Sequence, residues 1–160
     1  MYCDIISINK SKEIEEFAKK LGFNKVIFKG DFDNAGLVIS KDYVTNRKLV
    51  ESKNVKILVD PHINNFRDSL HFRASGLDHV ICNLMRKNNV SLGISLVSIE
   101  NGLMLGRLKQ NIKLCRKYKV NMKFFSFAKN KYEMRAREDM ISFLRAIGMT
   151  GKEAKESLSC

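Results

Sequence analysis

The apolar positions of this chain fall into short runs, most closing on a small polar residue and most followed by a stretch with helical spacing. The runs are "CDIIS" (3–7), "KVIF" (25–28), "GLVIS" (36–40), "KILVD" (56–60), "SLGIS" (91–95) and "MKFFSF" (122–127). Most lack polar alternation, which predicts strands covered on both faces, as in a parallel sheet. The helical stretches carry end signals. "SKEIEEFAKKLGF" opens at Ser11, sets Ile14, Phe17, Ala18 and Leu21 on one face, and stops at Gly22. "DHVICNLMRKNN" offers Asp78 as N-cap, buries Ile81, Leu84 and Met85, and ends in Asn88–Asn89. "LGRLKQNIKLCRKYK" repeats Leu105, Leu108, Ile112 and Cys115 at three- and four-residue steps. "REDMISFLRAIGM" has acids in its first turn and Gly148 as its stop, and "TGKEAKESL" places Thr150 and Glu153 at capping-box spacing. Residues 61–77, "PHINNFRDSLHFRASGL", fit neither period and predict a loop with at most one helical turn.

Strands alternating with helices define an α/β fold with a mainly parallel sheet. At 160 residues the expectation is a single domain, 1–160. A complete eightfold barrel usually needs about 200 residues or more. With six or seven candidate strands, the choice lies between a pared-down barrel and an open sheet.

Charge adds the next constraint. The net charge is +12, with 29 basic against 17 acidic residues. Residues 1–80 hold 13 basic and 11 acidic side chains, whereas 81–160 hold 16 and 6. The excess peaks in "GRLKQNIKLCRKYKVNMKFFSFAKNKYEMRAR" (106–137), where eleven lysines and arginines face one acid, Glu133. A solvated basic face is one reading of such a stretch. A solvated face normally mixes signs, however, and eleven to one fits a polyphosphate partner, where binding gains from counterion release. On a helical wheel Leu108, Ile112 and Cys115 face inward, while Lys109, Lys113, Arg116 and Lys117 lie on the exposed side.

Candidate chemistry is sparse by comparison. The strand ends offer Ser7, Ser40, Asp60, Ser95 and Ser126. The three histidines, His62, His71 and His79, form no pair at i, i+2 or i, i+4. His62 reads either as a polar loop residue or as a lone ligand. No dinucleotide, P-loop or nucleophile-elbow motif occurs, so no catalytic residue and no metal ligand is assigned. Cys3, Cys82, Cys115 and Cys160 form no C-x-x-C pair; Cys82 and Cys115 read as reduced packing residues. No apolar run approaches the ~18 residues of a membrane span, and no signal-peptide pattern is present. These features fit a protein of a reducing cytoplasm without a membrane partner.

"GLDHVICNLMRKNNVSLGISL", "NIKLCRKYKVNMKFFSFAKN" and "EMRAREDMISFLRAIGMTGKEAKESLS" follow one another in an order that resembles ribonuclease P protein component 3, over roughly 76–159. The resemblance implies a compact, TIM-barrel-like fold akin to the PHP phosphoesterase superfamily; the short middle segment of this chain departs from the family and points to an incomplete barrel with an open seam. It implies a protein subunit of the ribonucleoprotein that removes 5′ leaders from precursor tRNA. In that particle Mg²⁺ is used by the RNA, and this chain holds no cofactor of its own. Its partners would be ribonuclease P RNA, precursor tRNA through the complex, a second small protein subunit and further subunits. Arg107 and Asn111 match the family's R-x-x-x-N, Ser126 and Ala128 its S-x-A, and Arg135 and Asp139 its L-R-S-P-x-D-L, with Arg137 where the family has proline. Together with the charge pattern, this nominates Arg107, Lys109, Lys113, Arg116, Lys123, Lys129, Lys131, Arg135 and Arg137 as RNA-binding. Arg135 and Arg137 flank a helix entry, where a guanidinium can grip a phosphate or pair locally with Glu138 or Asp139. A metal-dependent PHP-type phosphoesterase and a general RNA- or ribosome-binding protein are the competing readings.

Overall fold

In the computed structural model, which describes residues 1–160, each of the six apolar runs contains a strand. They are β1 (Cys3–Ile5), β2 (Lys25–Ile27), β3 (Leu37–Ile39), β4 (Ile57–Val59), β5 (Ser91–Ser95) and β6 (Met122–Phe125). Every ladder is parallel. β1 pairs with β2, and β3, β4, β5 and β6 follow in that order in a second sheet. The two sheets meet where β1 passes β6: Phe127 N–H donates to the Ile5 carbonyl at 2.9 Å and Ser7 N–H to the Ala128 carbonyl at 2.8 Å. No ladder joins β2 to β3, so the curved sheet is a barrel open on one side.

The strand period sorts side chains onto two faces. Ile5, Leu37, Val59 and Phe125, with Ile27 and Ile57 against them, point into the curve and fill a narrow lumen. The alternate positions Leu58, Leu92, Ile94 and Phe124 face outward into the large core shared with the helices. Gly93 faces the lumen, where an added methyl group would lie 2.7 Å from Ile57 and 3.1 Å from Val59. The lumen has no room for a side chain at that point.

The helices are α1 (Lys12–Lys20), α2 (Tyr43–Glu51), α3 (His79–Lys87), α4 (Gly102–Tyr118), α5 (Arg137–Ala146) and α6 (Gly151–Ser157). Asp78 caps α3 by accepting from Ile81 N–H, and Thr150 with Glu153 forms the capping box of α6. Ser11 precedes α1 without a side-chain cap bond. α4 starts three residues before its apolar period, because Asn101 accepts from Met104 N–H and sets the first turn there. α2 is the element that periodicity does not reveal. Its inner face carries Asn46, whose amide bonds both the N–H (2.7 Å) and the carbonyl (3.0 Å) of Lys41. Residues 61–77 contain no helical turn.

Candidate functional site

The carboxyl ends of the strands carry two copies of one device. Asp4 is fully buried and accepts from Ser126 N–H at 2.7 Å, Ser126 Oγ at 2.7 Å and Ile5 N–H at 2.9 Å. It joins β1 to the end of β6. Asp60 accepts from Ser95 N–H at 2.8 Å and Ser95 Oγ at 2.5 Å, joining the ends of β4 and β5. Burial pushes each carboxyl up to about 6, although the donors pull the other way. Asp60 and Phe127 both take left-handed backbone angles (φ 53° and 54°), turning the chain off the sheet after β4 and β6. Phe127 then stacks on Phe32 at 5.4 Å, over the mouth of the lumen.

His62 is buried beside this network. Ser98 Oγ donates to the Ser95 carbonyl at 2.7 Å, so it accepts from His62 Nε2 at 3.0 Å. Burial, and then the charge of Arg107, hold the imidazole down to about 4 and therefore neutral. Serine, histidine and aspartate are thus neighbours without being a triad: the hydroxyl hydrogen points at a carbonyl, not at the ring. No three His, Cys, Asp or Glu side chains gather as a metal-binding group would require.

Beyond His62 the chain forms a closed loop. Gly76, at φ 77°, packs directly on the Pro61 carbonyl, a contact that leaves no space for a Cβ. Arg107 fills the loop's interior and is 1% exposed. Its Nε donates to Asp68 at 2.8 Å, Nη1 to the carbonyls of His62 (3.1 Å) and Asn64 (3.2 Å), and Nη2 to the Phe66 carbonyl. One planar fork thereby satisfies three loop carbonyls and a carboxylate. Asn111, one turn on, donates to the Ser75 carbonyl at 2.9 Å. Both side chains of the R-x-x-x-N pair point inward. The expectation that Arg107 meets RNA is corrected accordingly: its donors are consumed inside the protein.

The other nominated residues separate into two groups. Arg116 forms a two-pronged pair with Glu153 (2.7 Å each) and donates to the Gly148 carbonyl at 2.8 Å. Lys131 pairs with Glu13 at 3.0 Å, and Lys123 donates to the Ser159 carbonyl at 2.6 Å. Arg137 pairs with Glu138 and lies 4.6 Å from the Tyr2 ring centroid. Arg135 engages neither Glu138 nor Asp139; it donates to the carbonyls of Tyr132 (2.8 Å) and Met134 (3.0 Å). Lys109, Lys113 and Lys129 are exposed and take part in no ion pair, as do Lys117 and Lys119, which were not nominated. On α4, Lys109, Lys113 and Lys117 make one row at four-residue spacing.

These features define the class: a barrel-like parallel α/β protein whose exposed chemistry is cationic. No protein-family model matches the chain. Named relatives do. Ribonuclease P protein component 3 of Methanosarcina mazei is 30% identical over 120 residues, covering 71% of this chain and 47% of the relative. The protein of that name from Methanococcoides burtonii is 32% identical over 120 residues, 71% and 46% of the two chains. That of Methanococcus maripaludis is 28% identical over 148 residues, 89% of this chain and 57% of the relative. The chain spans about half the length of the curated relatives it matches. A chain in the cryo-EM structure of archaeal ribonuclease P with mature tRNA shares the fold, with TM-score 0.64 and 24% identity over 98% of this chain and 64% of that one. The resemblance read from the sequence holds: this chain is a relative of ribonuclease P protein component 3.

Proposed function

We propose that the chain serves as a protein subunit of ribonuclease P, the ribonucleoprotein that removes 5′ leaders from precursor tRNA. It supports the catalytic RNA, works with a second small protein subunit, and leaves the Mg²⁺ chemistry to the RNA. A cytoplasmic site of action follows from that role. Alongside the family likeness, the observation that carries this reading is the unpaired row Lys109–Lys113–Lys117. Charges already neutralised by acids add little to phosphate binding, whereas free lysines on a rigid helix retain theirs for a polyanion.

The strand-end network fits the same role. Its hydroxyls and carboxylates already bond one another, and the lumen behind them is filled with apolar side chains. That is an arrangement for holding strands together rather than for activating water. The test is reconstitution. Purified protein free of RNA is expected not to cleave precursor tRNA at any Mg²⁺ concentration, and to raise cleavage when added to ribonuclease P RNA with its partner subunit. Metal-dependent cleavage by the RNA-free protein would overturn the reading in favour of a phosphoesterase.

A further inference from the structure

The least expected surface of the molecule is loop 61–77. Leu70 is 99% exposed, Phe66 66% and Phe72 62%, yet the segment is firmly held. Arg107 occupies its centre, Gly76 closes it on Pro61, Asn64 donates to the Ala74 carbonyl at 2.7 Å, and Ser69 with Phe72 makes a tight turn. Two phenylalanines are therefore held largely in water on an ordered loop. Beneath them opens a groove of about 770 Å³, bounded by the start of α2, the loop and α4, with Tyr43, Gln110 and Tyr118 among its walls.

The geometry of α4 connects this groove to the free lysines. Gln110, Leu114 and Tyr118 line it at four-residue spacing. Lys109, Lys113 and Lys117 form the adjacent row, one residue earlier in each turn, so the cationic stripe runs along the rim. Arg67 and Arg73 stand on the loop side of the same groove, Arg73 half exposed with its Nη1 3.7 Å from Asp68. Its carboxylates, Asp42 and Asp78, are the caps of α2 and α3. Its amide side chains are engaged as well: Asn46 bonds Lys41, Asn64 bonds Ala74, and Gln110 bonds Arg73 and Ser75. The groove thus offers ring faces, guanidinium planes and a cationic rim, with few open groups to read base edges. That combination suits unpaired nucleobases, which stack on aromatic rings with little sequence preference while lysines follow the backbone.

We propose that loop 61–77 is a stacking platform for unpaired RNA bases. Phe66 and Phe72 supply the rings, Arg67 and Arg73 flank them, and Lys109, Lys113 and Lys117 hold the strand that leads there. The proposal rests on the ribonuclease P reading only for which RNA it serves.

The experiment compares a short single-stranded RNA of mixed sequence with an abasic oligonucleotide of the same phosphate count, each binding the full chain. Wild type is expected to prefer the base-bearing strand by about tenfold or more. Phe66→Ala with Phe72→Ala should abolish that preference without altering the salt dependence, and Phe66→Trp with Phe72→Trp should restore it. Equal binding of the two oligonucleotides by wild type would overturn the proposal. So would an alanine variant that keeps the preference, or one that keeps it while losing the partner subunit in a pull-down, which would make the patch a protein interface. Retention of ribonuclease P RNA by wild type is measured in parallel. Its absence beside an intact base preference would refute the ribonuclease P assignment and leave the platform standing.

Discussion

Arg107 and Lys109 lie two residues apart on one helix and have opposite fates. Arg107 faces the row of Asn111 and Cys115, loses its water, and orders a loop of the protein itself. Lys109 faces solvent in the row of Lys113 and Lys117, with no acid to pair with. A run of positive charge is therefore not one property. A guanidinium's planar fork can satisfy several carbonyls at once and so replaces the water lost on burial. An ammonium on a flexible stem is better left hydrated, where its charge remains available to a partner. In α4 both arginines are used by the fold, and the lysines supply the exposed field.

The largest effect is expected at Arg107. Arg107→Ala would leave three loop carbonyls and Asp68 without their donor, and should cost about 3–5 kcal/mol of stability in urea unfolding. Protease cleavage should begin in 61–77. Arg107→Lys should recover less than half, because one ammonium cannot reach the same set of acceptors. A loss under 1 kcal/mol would mean the loop does not depend on this residue.

A second test concerns the buried carboxyls. Asp4 and Asp60 have folded values near 6, above the ordinary carboxylate value of 3.8. The folded state therefore takes up protons between about pH 4 and 6. The stability these groups contribute is present below about 4 and lost as pH rises through about 6, on the order of 3 kcal/mol each. His62 acts in the opposite sense over an overlapping window: its folded value is depressed to about 4, so its contribution fades as pH falls from 6.5. The isolating measurement is the difference between wild type and Asp4→Asn with Asp60→Asn. The variant should gain stability relative to wild type between pH 4.5 and 7. A constant difference would show that neither carboxyl changes charge there.

The smallest effect is expected at Arg116. Its pair with Glu153 is nearly half exposed on the arginine side, so Arg116→Ala should cost at most about 1 kcal/mol. Salt should erase part of that. Glu153, held down to about 2 by Arg116 and its cap bonds, keeps its contribution above about pH 4.5 and loses it only as pH falls through about 2. A larger cost would move Arg116 into Arg107's category.

How much of this was legible follows from what sequence patterns encode. All six strands were readable because each is an apolar run bounded by polar turns, and the covered-sheet reading held because both faces are packed. α2 was not readable, since Asn46 replaces an apolar anchor with hydrogen bonds to Lys41. Loop 61–77 was legible only as irregular: its order comes from Arg107, 30 or more residues away along the chain. The basic stretch was visible, but its division was not. Lys131 meets Glu13 and Arg116 meets Glu153, and such pairings depend on the fold, not on local composition. Lys117, absent from the nominated residues, belongs to the free row simply by its four-residue step from Lys113.

The most direct measurement is the salt dependence of binding to ribonuclease P RNA, compared between wild type and Lys109→Gln, Lys113→Gln, Lys117→Gln combined. If the outer row meets phosphates, the log–log slope should become shallower by about 0.7–0.9 for each contact removed. The urea midpoint should stay where it is in wild type. An unchanged slope would make the free lysines of α4 a solvated face and not a surface that holds RNA.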